Sequence, residues 1–209
     1  RQVKGLKNVY LSHGSGTYVN LHGFATKTTL YPQVYYGELI QRSGYTPSIQ
    51  MLGVQRILAS QAETARAQLG LSEGDELLEV SKLYQASGRT CIYCIDYLHT
   101  STIPAHMWDK LKTENVSIFQ FLNTYTSLQI VRDMVMLTAG DSREVAEISG
   151  YLKLQKGEIK PLLVIDTTNY DAHNKPLIYS KSYVDTEMIQ YTLMRNNFED
   201  KEALLNEDV

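Results

Sequence analysis

Two pairs of alternating, strand-like segments, each joined by a short turn, constrain the fold of this chain more than any other feature. Residues 77–85 are followed by Ser87-Gly88 and then by a second segment, residues 90–98. A two-residue turn that contains glycine is typical of a β-hairpin. Residues 162–170 and 177–184 form a similar pair around a turn-rich loop. Because hairpins place neighbouring strands side by side in opposite directions, we predict a mostly antiparallel sheet.

Further strands are predicted for residues 128–138 and 188–195. Helices are predicted from their start and stop signals, and they fall between the strand groups. These are residues 35–43, stopped by Gly44; residues 60–70, from a capping box at Ser60 to Gly70; a helix that begins at Ser117; and residues 141–150, from Asp141 to Gly150. Helices inserted between the strands of an antiparallel sheet predict an α+β fold.

The composition narrows the class of protein. The 209 residues are 43% hydrophobic, which is enough for a core without disulfide or metal staples. The chain has 20 Lys and Arg against 23 Asp and Glu, a net charge of −3, whereas self-sufficient nucleic-acid binders usually carry a basic surplus. No run of about 18 apolar residues occurs, so we expect no membrane partner. Two cysteines and the lack of a signal-peptide core fit a cytoplasmic protein.

Lys82 is notable for the face on which the strand pattern places it. Side chains alternate along a strand, so Lys82 shares a face with Leu78, Val80 and Tyr84. A buried ammonium without an anionic partner is unfavourable. Three interpretations are open: Lys82 binds an anionic group of a ligand, its stem lies along the surface with the ammonium in water, or it pairs with Asp96 on the neighbouring strand.

Two further positions could carry chemistry. Ser117 at a helix start offers a hydroxyl and free backbone N–H groups that attract anions, but serine there is also an ordinary cap. Cys91 and Cys94 form a CxxC motif in mid-strand, where positions i and i+3 face opposite sides, and no second Cys/His pair completes a zinc site. We therefore expect no metal and no cofactor.

No pattern in the sequence nominates a catalytic nucleophile with its base. The five histidines form no HExxH spacing, and neither Gly-x-Ser-x-Gly nor a phosphate-cradling glycine loop is present. This favours binding over catalysis.

The order of these features resembles the UTRA domain, the effector-binding half of HutC-type regulators in the GntR superfamily. The resemblance rests on residues 69–76, on the strand through Lys82 with its turn and partner strand, and on the helix start at Ser117. The C-terminal run from Asn169-Tyr170-Asp171 to residues 179–183 is similar to the ending of the family. The colinear set covers about residues 30–198.

Residues 13–19 place two glycines, Gly14 and Gly16, between short β-prone runs, which predicts a hairpin. This N-terminal hairpin resembles the wing that closes the family's winged helix-turn-helix, without the recognition helix. We assign residues 1–20 to a remnant of this DNA-binding domain, 21–33 to a linker, 34–200 to the UTRA domain and 201–209 to an acidic tail. The DNA-binding candidates of the wing are His13, Gly14, Ser15, Gly16 and Thr17.

The resemblance implies a chorismate-lyase-like fold, an antiparallel sheet with helices covering a ligand pocket. It implies an effector-sensing and dimerisation domain of a bacterial transcriptional regulator, usually a repressor and a homodimer. A small cytoplasmic metabolite would modulate DNA binding, and DNA would be bound only through the winged helix of the full-length protein. The alternative is an enzyme on the same fold, because fold does not fix function.

The site residues that the resemblance implies differ in part from the family's own. Two family arginines correspond to Lys82 and Tyr84, and a family glutamate corresponds to Cys94. Because lysine is a point charge and tyrosine is neutral, these replacements argue against a sugar 6-phosphate and favour a less charged effector that stacks on tyrosines. The effector-binding candidates are Lys82, Tyr84, Cys94, Ser117, Tyr183, Gly37 and Tyr36.

Overall fold

The computed structural model describes residues 9–12, 16–19 and 35–192, which belong to two units. One unit comprises residues 1–34 with 191–209, and the other is Tyr35–Gln190. In the first unit, β1 (Val9–Ser12) pairs antiparallel with β2 (Gly16–Val19), which confirms the predicted hairpin. Of the wing candidates, Gly16 and Thr17 lie in β2, whereas His13, Gly14 and Ser15 lie outside the described residues, as do the proposed linker and acidic tail.

The second unit is built on a six-stranded sheet in which every neighbouring pair of strands is antiparallel. The strand order is β3-β4-β5-β8-β7-β6. The strands are β3 (Pro47–Leu58), β4 (Glu76–Ala86), β5 (Arg89–His99), β6 (Arg132–Asp141), β7 (Pro161–Tyr170) and β8 (Pro176–Val184). With the helices between them, this sheet confirms the α+β class.

The turn between β4 and β5 has the backbone that the sequence predicts. Ser87 has φ +51° and Gly88 φ +84°. Positive φ at both central residues is the geometry of a type I′ turn, whose twist matches that of the flanking strands.

In the β7–β8 turn, the carboxylate of Asp171 accepts hydrogen bonds from the backbone N–H groups of His173 and Lys175.

Among the residues that the structure describes, five α-helices accompany the sheet. They are α1 (Tyr36–Arg42), α2 (Glu63–Leu69), α3 (Trp108–Thr113), α4 (Ile118–Tyr125) and α5 (Ile148–Tyr151), with 3₁₀ turns at Ala59–Gln61, Thr100–Thr102 and Ala105–Met107. Ser117 caps α4, because its hydroxyl accepts from Gln120 N–H while Gln120 Oε1 accepts from Ser117 N–H. Gly70 ends α2 with φ +66°, as predicted.

Helices pack on both faces of the sheet. The first face, which carries Leu78 and Val80, packs against α3 and α4 through a buried cluster that includes Leu111 and Phe121. The second face, which carries Leu77, packs against α2 at one end and against α5 at the other. The sheet therefore forms the middle layer of the unit.

Two predicted helices differ from the structure at their starts. Residues 141–150 do not form one helix: Asp141 ends β6, turns follow, and only Ile148–Tyr151 are helical. The reason is that the Asp141 carboxylate binds the backbone N–H and the guanidinium of Arg143, which closes a local turn. The capping box at Ser60 is also wrong, because the 3₁₀ turn Ala59–Gln61 precedes the helix.

The strand predictions are wrong at three places. The strand predicted for residues 128–138 begins only at Arg132, because Leu128 and Ile130 pack against the helices of the first face instead. At 188–195, the described residues up to 192 form a turn and an isolated bridge, and Ile189 is fully buried. Strand β3 was not predicted, since a shift of register between Met51 and Gly53 interrupts its alternation.

Candidate functional site

A polar cluster lies at the centre of the first face of the sheet. This lysine cluster consists of Lys82, Cys94, Asp96, Ser180 and Ser182. Lys82 is opposite Cys94 and Cys94 is opposite Ser182, while Asp96 is opposite Ser180. Directly opposite residues of antiparallel strands share a face. All five are buried, from 0% exposure at Lys82 to 7% at Ser180. Strands β4, β5 and β8 thus bring these polar side chains together inside the protein.

Lys82 and Asp96 form the ion pair of the cluster. Lys82 Nζ lies 2.5 Å from Asp96 Oδ2, and the Ser180 hydroxyl donates to Asp96 Oδ1 at 2.6 Å. Pairing with Asp96, one of the three open interpretations, is therefore confirmed. The interpretation that keeps the ammonium in water is wrong, because Lys82 is fully buried.

The ion pair retains hydrogen-bonding capacity. Within the described residues, neither Lys82 Nζ nor Asp96 Oδ2 has a polar partner other than the opposite member of the pair. An ammonium has three donors and a carboxylate oxygen has more than one acceptor direction. Buried groups of this kind are stabilised when further hydrogen bonds are added. The arrangement can therefore take up a polar group and presents no net charge to it.

Cys94 contributes a neutral thiol to the cluster. Burial, followed by the charge of Asp96, raises the pKa of Cys94 far above its ordinary value, although Lys82 and the Ser182 hydroxyl act in the opposite direction. Its Sγ lies 3.5 Å from Asp96 Oδ1, to which it can donate. A thiol held in this form is a weak hydrogen-bond donor and not a nucleophile.

Tyr84 and Tyr36 form the aromatic border of the cluster. Tyr84 lies on the same face of β4 as Lys82, and the ring of Tyr36 at the start of α1 meets it edge-on with 5.0 Å between centroids. Burial, followed by the nearby Cys94 and Asp96, raises the pKa of Tyr84, which keeps it a neutral phenol. Gly37 follows Tyr36 in α1, and no described atom lies within 4 Å of the position that a Cβ would take there.

Ser117 forms its hydrogen bonds away from the polar side chains of the cluster, and Tyr183 lies on the other face of the sheet. The hydrogen bonds of Ser117 go to Gln120, within its own helix start. Tyr183 is opposite Tyr93 on the second face of the sheet, where it packs with Ile148 and Val164. The structure therefore brings Lys82, Tyr84, Cys94 and Tyr36 together and places Tyr183 on the opposite side from them.

Two serines of the cluster were missed as site residues. Ser180 and Ser182 appeared in the sequence only as part of the C-terminal run. Their signal was the alternation along β8, in which they share one face while Tyr179 and Tyr183 share the other. The sequence alone does not show which face of β8 joins the cluster, because that depends on the pairing of β8 with β5.

The two cysteines have different contacts and form no common site. Both are free and lie within β5, where Cys91 Sγ contacts the Tyr84 carbonyl oxygen at 3.4 Å and Cys94 faces Asp96. Among residues 35–192 and the described hairpin, no group of three or more His, Cys, Asp or Glu side chains is arranged to hold a metal ion. No described helix is both long and apolar enough to cross a membrane.

Comparison with known families identifies the class of domain. Residues 42–190 match the UTRA domain, which is more than half of the chain, so the chain belongs to the UTRA family. UTRA domains are the ligand-binding regulatory domains of GntR-family regulators. The resemblance seen in the sequence is thereby confirmed, and the alternative of an enzyme on the same fold is excluded. No curated protein sequence matches the chain.

Solved structures share the fold. YydK of Bacillus subtilis, described as a possible transcriptional regulator, has a TM-score of 0.66 at 19% identity, over 90% of this chain and 76% of its own. PhnF of Mycobacterium smegmatis has a TM-score of 0.68 at 12% identity, over 91% and 79%. The effector domain of that PhnF has a TM-score of 0.62 at 13% identity, over 78% and 94%. The chorismate-lyase-like fold is thus confirmed.

Proposed function

We propose that this chain is the effector-sensing domain of a cytoplasmic, HutC-type transcriptional repressor of the GntR superfamily. Its effector is a small metabolite bound at the lysine cluster and its aromatic border. The observation that supports this most directly is the buried Lys82–Asp96 pair, whose Nζ and Oδ2 atoms have no polar partner besides each other within the described residues. Polar groups with unused hydrogen-bonding capacity beside aromatic side chains are typical of ligand sites.

The charge of the cluster favours a neutral or zwitterionic effector. Asp96 already neutralises Lys82, and Cys94 and Tyr84 are held in their uncharged forms. A doubly charged phosphate would leave net negative charge in a buried place, which is unfavourable. A neutral hydroxylated or amide-containing molecule, or one that carries one charge of each sign, matches the hydroxyls of Ser180 and Ser182. This argues against a sugar 6-phosphate.

Regulation would follow from differential binding. The full-length protein would bind DNA through a winged helix whose wing includes residues 13–17, and it would do so as a homodimer on two half-sites. An effector that prefers the arrangement unable to bind DNA shifts the population toward it. Couplings of about 1–3 kcal/mol between two such sites are usual. Of the remaining site candidates, Gly37 and Ser117 would act at the border of the site, whereas Tyr183, on the other face of the sheet, would act only through packing.

Thermal unfolding with a defined set of ligands tests the site. Free amino acids, neutral amino sugars and glucosamine 6-phosphate are compared at equal concentration. A neutral or zwitterionic member is expected to raise Tm, since ligands that bind the native state stabilise it. Ser182→Ala removes a cluster hydroxyl and should reduce that rise. Ser81→Ala is the matched control, because Ser81 faces the other side of the sheet. Preferential stabilisation by the phosphate, or equal effects of the two variants, would contradict the proposal.

A further inference from the structure

Asn169 on strand β7 is a buried amide whose hydrogen bonds are not formed. It is 0% exposed, and within the described residues neither its Nδ2 nor its Oδ1 atom has a hydrogen-bond partner. Buried amides in native proteins are almost always hydrogen-bonded, and each exception requires an explanation. An unpaired amide also makes the fold less stable than an apolar side chain of the same shape would.

The local structure does not explain why asparagine occupies this position. Asparagine is unfavourable within strands, and Asn169 precedes the last residue of β7 (Pro161–Tyr170). The turn that follows does not use its side chain, because Asp171 accepts the hydrogen bonds from the backbone N–H groups there. A polar partner from outside the described residues is therefore the remaining explanation.

Asn169 adjoins the lysine cluster on the first face of the sheet. Thr167 is opposite Ser180, and Asn169, two residues further along β7, is opposite Ile178. Because side chains two residues apart share a face, Asn169 is a diagonal neighbour of Ser180. The Ser180 hydroxyl in turn donates to Asp96. The amide thus continues the row of polar side chains that begins at the Lys82–Asp96 pair.

The chemistry of Asn169 defines the group that it can bind. An amide presents an acceptor oxygen beside an NH₂ donor. A carboxylate satisfies only the donor and repels Oδ1, whereas an ammonium satisfies only the acceptor and repels the NH₂ group. Asp133 lies opposite Asn169 on β6, is half-buried and has no salt bridge within the described residues. Its negative charge further disfavours a carboxylate at this place.

We propose that Asn169 determines the specificity of the effector site by forming paired hydrogen bonds with a neutral carboxamide group of the effector. This inference rests on the proposed function and narrows its effector to an amide-containing metabolite. A site with buried polar groups rejects an analogue that leaves those groups unpaired. Asn169 therefore accepts the amide and discriminates against the corresponding carboxylic acid.

The segment between α4 and β6 lies beside Asn169. Leu128 and Ile130 pack against the cluster that contains Ile178, the residue opposite Asn169. Val131 N–H donates to the Tyr170 carbonyl oxygen at 3.0 Å. A ligand group reaches the enclosed amide only when the atoms around it move, so binding of the carboxamide would displace residues of this segment.

The stability of two neighbouring variants tests whether the amide is unpaired. Asn169→Leu should raise Tm, measured without added ligand, by at least about 2 °C, because it replaces an unpaired amide by an apolar side chain of similar shape. Thr168→Val is the matched control: Thr168 is 2% exposed, faces the other side of β7 and donates to Gln68 Oε1 at 3.0 Å. It should lower Tm. A fall in Tm for Asn169→Leu as well would show that the amide is already hydrogen-bonded and would overturn the proposal.

Calorimetric titration with amide and acid pairs tests the specificity. The pairs are glutamine and glutamate, asparagine and aspartate, and nicotinamide and nicotinate. In at least one pair, the wild type should bind the amide at least about tenfold more tightly than the acid. The ratio should fall to within about threefold in Asn169→Leu and in Asn169→Ala, which is too small to overpack the site, and should persist in Thr168→Val. A wild type without preference in any pair, or a preference retained by both Asn169 variants, overturns the proposal.

The neutral amino sugars of the earlier experiment separate this inference from the proposed function. If they raise Tm equally in the wild type and in Asn169→Leu while no amide is preferred, the effector site stands and the role of Asn169 is wrong. If no compound of either set binds, both proposals are wrong.

Discussion

Lys82 and Asp96 are diagonal neighbours on the first face of the sheet, joined by a contact of 2.5 Å between Nζ and Oδ2. In the register of β4 and β5, Lys82 is opposite Cys94 and Asp96 is opposite Val80. Long side chains can bridge such diagonal positions. Because both side chains are at most 3% exposed, each charge depends on the other for its compensation inside the protein.

Lys82→Met should destabilise the fold by about 3–5 kcal/mol, since it leaves the Asp96 carboxylate buried without its counter-charge. Adding Asp96→Asn removes the second charge and keeps an oxygen for the Ser180 hydroxyl. The double variant should therefore recover most of the loss. Urea unfolding at pH 7 measures both. Lys112→Met is the control: its pair with Asp109 is exposed and is worth at most about 1 kcal/mol. A double variant no more stable than the single one would contradict this account.

Neither cysteine should react with a thiol reagent in the native protein. Cys91 is 0% exposed and Cys94 is 2% exposed, and burial raises the pKa of both thiols. The thiolate is the reactive form, so both access and ionisation are blocked. Titration with a chromogenic disulfide at pH 8 should modify neither thiol in buffer and both in 6 M guanidinium, a concentration chosen to unfold the chain fully. Rapid modification of one thiol in buffer would show that β5 opens locally.

Stability should fall as the pH rises above about 8.5. Burial, together with the nearby Asp185 charge, raises the pKa of Cys91 to about 12, against about 8.5 in an unfolded chain. A group with a raised folded pKa contributes stability below its unfolded pKa and loses it as the pH rises toward the folded value. The expected slope is up to about 1.4 kcal/mol per pH unit for each thiol.

Urea unfolding between pH 8 and about pH 9.3 measures that slope, a range chosen because most tyrosines of an unfolded chain, with a pKa of about 10, remain protonated there. Cys91→Ala removes one titrating group, so its free energy of unfolding should fall less steeply with pH than that of the wild type, whatever its stability at pH 8. Equal slopes would show that the Cys91 thiol is not held protonated by the fold.

Gly140→Ala should destabilise the protein by about 1–3 kcal/mol, the usual effect of overpacking. A Cβ at this position would lie 2.7 Å from a methyl carbon of Val164, in addition to meeting the Glu144 carboxylate. Gly150→Ala is the comparison, because no described atom lies within 4 Å of its Cβ position and it is helical. It should stabilise by about 0.4–1 kcal/mol. Both are measured by urea unfolding at pH 7.

The site could be predicted only in part. Strand alternation in the sequence placed Lys82 and Tyr84 on one face, and the family resemblance added Cys94. A shift of register between Tyr84 and Gln85 brings Cys94 opposite Lys82, which the two-residue turn alone does not predict. The sequence could not place Ser180 and Ser182 beside them, since β8 joins β5 across about eighty residues of intervening chain. For the same reason Tyr183 was assigned to the site although it faces the other side of the sheet.

What the sequence by itself determined is local: the hairpins of β4–β5 and β7–β8, the cap of α4 at Ser117 and the stop of α2 at Gly70. Each depends on a few adjacent residues whose backbone geometry is set by sterics and short-range hydrogen bonds. Only the tertiary structure decided that Lys82 pairs with Asp96 instead of reaching water, that residues 141–150 turn before α5, and that β6 is left at the edge. Those outcomes depend on strand order and burial, which arise from contacts between segments far apart in the chain.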